Sequence, residues 1–484
     1  MKSIANLKDP TAYGYACVTA LTTVAALVFS LIAVFLTPIH LFAAVGLWSL
    51  SIVMLPPALS PRYDLFSPWS FIILSVLVGL TLRGFYISFA YPNPAIIERL
   101  FLRGEKPGFF LKPALILLTG LIALTTAYLW NPFKKLRTAL PNNPIQKQRL
   151  YTLIFAILAI SLVSTTLYII LTGGLESRFI SAKRTPIPGL ELSGKNYQSY
   201  GSLRFFSSLA IFAHLLVLGD LLKSKSLGRF WKIPLALILF LLACSLPFYA
   251  SVRSTIATYV FLSAAVFYYS SKKLPIFKFA LAGIILIIAV YVMTLLRAER
   301  DDSSALSKFS PGSQAFNSLI LNRNQIELAK TAHIINAIPD QLPYQYGKTI
   351  AIWALAPIPR SLWRDKPLIQ PGPIIGNQIY QQKRAGVPPS LIAELCWNFA
   401  LPGVLIGSLL LGAMLRFLHQ SFAPQRTNGD PNPAQIFFYV VAPMLFGFQA
   451  IGSNLGYALF WLVMNTIIAL VILKLITPRT TTTT

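Results

Sequence analysis

Apolar positions along this chain fall into long unbroken runs rather than alternating every two or every three to four residues. Runs long enough to cross about 30 Å of hydrocarbon lie near 14–36, 39–55, 66–91, 112–130, 150–172, 203–222, 233–251, 254–271, 277–296, 391–418, 435–451 and 455–476. The expected fold is therefore all-α, a polytopic bundle of about twelve transmembrane helices forming one helical domain over 1–484. In lipid only helices or closed barrels satisfy the backbone internally, and runs of this length select helices. The first run is long enough to stay in the bilayer, which argues against a cleavable signal peptide.

Composition agrees. The 484 residues are 55% hydrophobic and 12% charged, a balance outside that of soluble domains. Cys17, Cys244 and Cys396 sit in separate apolar runs without metal or redox spacing and read as packing residues. The net charge of +26 would suit nucleic acid if it lay on one face. It does not: with the N-terminus inside, 19 basic residues collect at cytoplasmic ends and nine in short external loops. The positive-inside rule favours that orientation, with both termini cytoplasmic. Nucleic acid is thereby excluded as a partner, and membrane lipid is expected.

The stretch 297–390 carries 11 further basic residues and falls outside. Long loops translocate largely regardless of charge. Ile320, Leu321, Leu328, Trp353 and Trp363 give this loop apolar mass that disordered segments lack, so it is expected to be structured and functional. From Ser313 to Ala337 a helical reading puts Arg323, Glu327, Lys330 and His333 on one stripe, either solvated or turned toward an anionic substrate. Arg360, Arg364 and Lys366, around Trp363, form a candidate pyrophosphate clamp, since guanidinium groups hold phosphate oxygens bidentately. Pairing with lipid headgroups or Asp365 is the plainer alternative.

Beyond the loop, Ser390 can cap a helix, while Ser390, Glu394 and Asn398 recur every four residues as a polar stripe entering the membrane. An ionisable group there is a site candidate by default. Arg83 lies deep in the third run, and Arg253 marks a hairpin between the seventh and eighth. Arg297 and Arg300 end the ninth beside Asp301 and Asp302, where charge pairing outweighs a cation site; no metal is expected.

Taken together, Pro359-Arg360-x-x-Trp363-x-x-Lys366-Pro367, then Gly386, Pro389-Ser390, Glu394, Asn398 and Gly403, resemble the Wzy-type O-antigen or oligosaccharide repeat unit polymerases over about 50 residues. The family pattern tends to carry a glycine soon after the asparagine, where this chain has Ala400. Arg253, in Ser-Val-Arg-Ser, resembles an arginine that opens a helix in related polymerases and ligases. The resemblance implies a GT-C-like membrane glycosyltransferase of a bacterial plasma (inner) membrane with an external (periplasmic) active face. It would transfer a glycan from polyprenyl pyrophosphate to the terminal sugar of another lipid-linked oligosaccharide, with no cofactor and with a chain-length-regulating co-polymerase as a possible partner.

On that reading Glu394 is the first candidate base and His333 the second. Arg253 and Arg360 neutralise the leaving pyrophosphate, with Arg83, Arg297, Arg300, Arg323, Arg364, Lys366, Asn398 and Trp363 as substrate contacts. Trp353, Tyr344 and Tyr346 either stack on sugars or anchor the interface. An O-antigen ligase would share the donor. A transporter or flippase would be expected to show internal repeats and broken helices at matching positions.

Overall fold

The computed structural model describes residues 10–60, 63–93, 96–97, 100, 102, 105–106, 108–136, 145–172, 174, 200–224, 229–249, 253–271, 320–321, 326–358, 362–363, 366–381, 386–424 and 432–478. Every regular element among them is helical.

Ten helices are long and apolar enough to cross a membrane among the described residues. They are α1 (Pro10–Phe35), α2 (Leu41–Ala58), α3 (Pro68–Ala90), α4 (Gly108–Trp130), α5 (Lys147–Leu171), α6 (Gly201–Lys223) and α7 (Arg229–Tyr249), then α11 (Leu391–Phe422), α12 (Pro433–Ala450) and α13 (Leu455–Ile476). The eighth expected span forms a helix, α8 (Arg253–Ser271), that is not among those ten. Its serines and tyrosines lower its hydropathy. The ninth, 277–296, lies outside the described residues. Within the loop, α9 (Leu328–Asn336) and α10 (Gly372–Gln378) are short.

Two apolar cores divide the bundle. One joins α2, α3, α4 and α11; the other joins α5 to α8 with α12 and the far end of α13. Close backbone approach, the usual device where lipid supplies no hydrophobic drive between helices, holds α4 to α11: a Cβ on Gly412 would lie 2.1 Å from the Leu124 carbonyl oxygen. The first helix, α1, packs chiefly on α2 and leaves Leu21, Leu31 and Val34 exposed, as a lipid-facing helix should.

Three spans depart from regular helix. α3 widens to a π-helix over Leu77–Leu82, immediately before Arg83, and α12 does so over Val440–Met444. Such segments often accompany functional positions. α11 breaks outright at Phe399 and Ala400, the latter at φ 53°, ψ −150°.

Candidate functional site

The break in α11 begins with Pro402, which has no N–H and therefore cannot donate to the Asn398 carbonyl four residues earlier. A backbone acceptor cannot be left bare in a membrane. The external loop supplies the donors instead: Gln345 N–H bonds to the Trp397 carbonyl and Tyr346 N–H to the Asn398 carbonyl, each at 3.1 Å. Gly347 N–H then donates to Asn398 Oδ1 at 2.9 Å. Gly347 adopts φ 83°, and a Cβ there would sit 2.9 Å from the Phe399 ring, so glycine fits both the turn and the contact.

One turn further, Thr349 closes the arrangement. Its hydroxyl donates to Glu394 Oε1 at 2.8 Å and accepts from Asn398 Nδ2 at 2.8 Å. The second Glu394 oxygen accepts from the Leu455 N–H at the start of α13, where a negative group also meets the positive end of the helix dipole. Glu394 and Asn398 are both fully buried. The polar stripe is thus a clamp that ties α11, the loop and α13 together. Ser390 occupies the N-cap position of α11, but it makes no side-chain cap hydrogen bond. It stands at φ 63°, ψ 164°, with its buried hydroxyl unpartnered among the described residues. Two residues in backbone conformations that favour glycine therefore bracket Leu391 to Phe399, the segment that carries Glu394 and Asn398.

A second polar cluster lies under α9. Arg83 Nε donates to the Ile320 carbonyl at 2.6 Å, and its guanidinium forms an ion pair with Glu327. Lys330 is wholly buried beside them, and burial holds its ammonium down to about 8 against the opposing pull of Glu327. His333 completes the stripe, with Nδ1 3.2 Å from the Tyr380 hydroxyl and Nε2 3.5 Å from Glu105. Glu327, Lys330 and His333 thus face inward rather than into solvent. Spacing alone could not tell these outcomes apart, because a solvated and a buried stripe share the same period.

The basic segment follows. Lys366 is buried, and its Nζ donates to the Ala356 and Ile358 carbonyls at 3.2 and 2.6 Å. It ties position 366 to the turn at 356–358. Trp363 is 38% exposed. The candidates Arg297, Arg300, Arg323, Arg360 and Arg364 lie outside the described residues; Arg253 begins α8, with its side chain outside the description.

The aromatics divide. Trp353 is buried against Tyr457 and Phe460 of α13, with ring centroids at 5.1 and 5.8 Å. Tyr346 is 77% exposed, and its ring lies 6.1 Å from that of Tyr344. The Tyr346 amide is bonded to the Asn398 carbonyl, so this pair lies next to the α11 break. Sequence reasoning missed Thr349, the residue that joins Glu394 to Asn398, because it lies 45 and 49 positions from them; no local pattern marks it. Glu105 and Tyr380 were missed for the same reason.

The fold defines a polytopic helical membrane protein whose structured loop is docked on a broken helix. No family model, curated protein or solved structure matches the chain.

Proposed function

We propose that the chain is a membrane glycosyltransferase that polymerises lipid-linked oligosaccharide repeat units at the loop end of the bundle. The observation that carries the reading is the docking of residues 345–349 on the helix of Glu394 and Asn398, which brings exposed Tyr346 and its half-buried neighbour Tyr344 beside that segment. The tyrosines, with ring planes tilted at 49°, offer apolar faces to sugar rings, and Arg360 would supply a cation for a pyrophosphate whose tail stays in lipid.

In the proposed step a sugar hydroxyl of one lipid-linked unit attacks the anomeric carbon of another. A new glycosidic C–O bond forms as the C–O bond to pyrophosphate breaks, and the hydroxyl proton passes to a base. Glu394 already accepts a hydroxyl hydrogen bond, from Thr349. For Glu394 to be that base, loop 345–349 must lift so that the attacking hydroxyl takes the Thr349 position. His333, partnered by Glu105 and Tyr380, is the second candidate.

The test is purified protein in liposomes with a lipid-linked repeat unit, products resolved by length. A ladder that Arg360→Ala and Glu394→Gln abolish supports the assignment; full activity in both variants refutes the site. A single addition to a different lipid acceptor identifies a ligase. The broken helix α11 favours one alternative of another class, a transporter, since discontinuous helices build transporter sites. Unchanged chain length with movement of substrate across the liposome would select it.

A further inference from the structure

At the opposite end of the bundle, the starts of α5, α7 and α12 and the end of α6 enclose a cavity of about 510 Å³, lined among others by Lys147, Asp220, Lys223, Ser224, Lys232 and Asn432. An open groove of about 520 Å³ beside it shares Lys147 and Lys232 and is lined by Tyr151, Phe155 and Trp231.

The shared lysine is built in rather than draped over the surface. Lys232 is only 4% exposed, yet its ammonium is ion-paired with Asp220 and donates to Ser224 Oγ at 2.6 Å. Its Nζ also lies 5.5 and 5.8 Å from the Tyr151 and Trp231 ring centroids. Tyr151 donates its hydroxyl to the same Asp220 oxygen at 2.6 Å. An ammonium has three donors, and these partners use two. Lys232 and Asp220 offset each other, and Lys147, which is exposed, adds positive charge to both the cavity and the groove. Beside this sit Phe155 and Trp231, 52% and 43% exposed, on the outward face of the helices.

We infer that this is a binding site for the phosphodiester headgroup of an anionic phospholipid, with the headgroup against Lys147 and Lys232 and an acyl chain along Phe155 and Trp231. A basic pocket between helix ends supplies the charge recognition. The aromatic wall selects a lipid over a free phosphate, which has nothing to lay against it.

Native mass spectrometry of the full chain in detergent, titrated with phosphatidylglycerol, phosphatidylethanolamine or inorganic phosphate, tests this. Phosphatidylglycerol is expected to be retained preferentially. Lys147→Glu removes one positive charge and adds a negative one, so it should weaken retention about 25-fold, at about five-fold per charge step. Lys134→Glu, an exposed change at the same end, should have a much smaller effect. The pair Lys232→Met with Asp220→Asn, which leaves no buried charge behind, should also lose the preference while the protein stays folded. Equal retention of both phospholipids, equal effects of Lys147→Glu and Lys134→Glu, or displacement of the lipid by inorganic phosphate would each overturn the proposal.

Discussion

Replacing Ala400 with glycine should make the protein more stable, against the usual sign for a helix. In a regular helix an alanine-to-glycine change costs about 1 kcal/mol. Ala400 stands inside α11 but at φ 53°, ψ −150°, a region populated essentially by glycine, where another residue carries roughly 1–3 kcal/mol of strain. Glycine removes that strain and loses about 0.5–1 kcal/mol in backbone entropy, leaving a net gain of about 0–2.5 kcal/mol, centred on about 1 kcal/mol. At roughly 2–4 °C per kcal/mol in a chain of moderate size, and less in a larger one, the melting temperature should rise by a degree to a few degrees. Tryptophan fluorescence of the purified protein during heating in detergent reads the shift directly. Ala20→Gly, in the regular exposed turn of α1, is the control and should lower it. A fall for Ala400→Gly equal to that for Ala20→Gly would mean that α11 is continuous here and that the loop does not dock as described.

Thr349→Val should destabilise by roughly 2–4 kcal/mol, because Glu394 and Asn398 each lose a buried partner, whereas Thr349→Ser should recover most of the loss in the same melt. Arg83→Leu alone should cost about 3–5 kcal/mol by stranding Glu327, while Arg83→Leu with Glu327→Leu should be milder; equal losses would remove the ion pair from the account. Lys330 is held down to about 8 from an ordinary 10.5, so between those values the unfolded chain binds the extra proton. Stability should therefore climb from pH 8 toward pH 10.5, and the climb should be smaller in Lys330→Met.

The spans were legible because a run of apolar residues reports its own environment, and ten of the twelve expected emerge as membrane-length helices. Position on a helix was legible too: the four-residue recurrence of Ser390, Glu394 and Asn398 puts them on one face of α11. What that face meets was not. A helical period fixes which side chains share a stripe, but the partner comes from wherever the chain returns. Here Thr349, Gly347 and the Leu455 amide come from two other segments. The stripe of α9 shows the same limit, since Glu327 and His333 find Arg83, Glu105 and Tyr380 across the loop.

The sequence carried one further clue to the break. Pro402 removes a donor, and Ala400 stands two residues before it in a backbone conformation suited to glycine. A helix that must open to admit loop amides needs a residue free to leave helical geometry. The proline and the strained alanine are thus two expressions of one requirement. The clamp fixes Glu394 between the loop and α13, so any chemistry at that carboxylate is coupled to undocking of residues 345–349. Thr349→Val, which loosens the docking and takes a hydrogen bond from Glu394, should therefore alter turnover in the proposed reaction as well as stability. Thr349→Ser should restore both together.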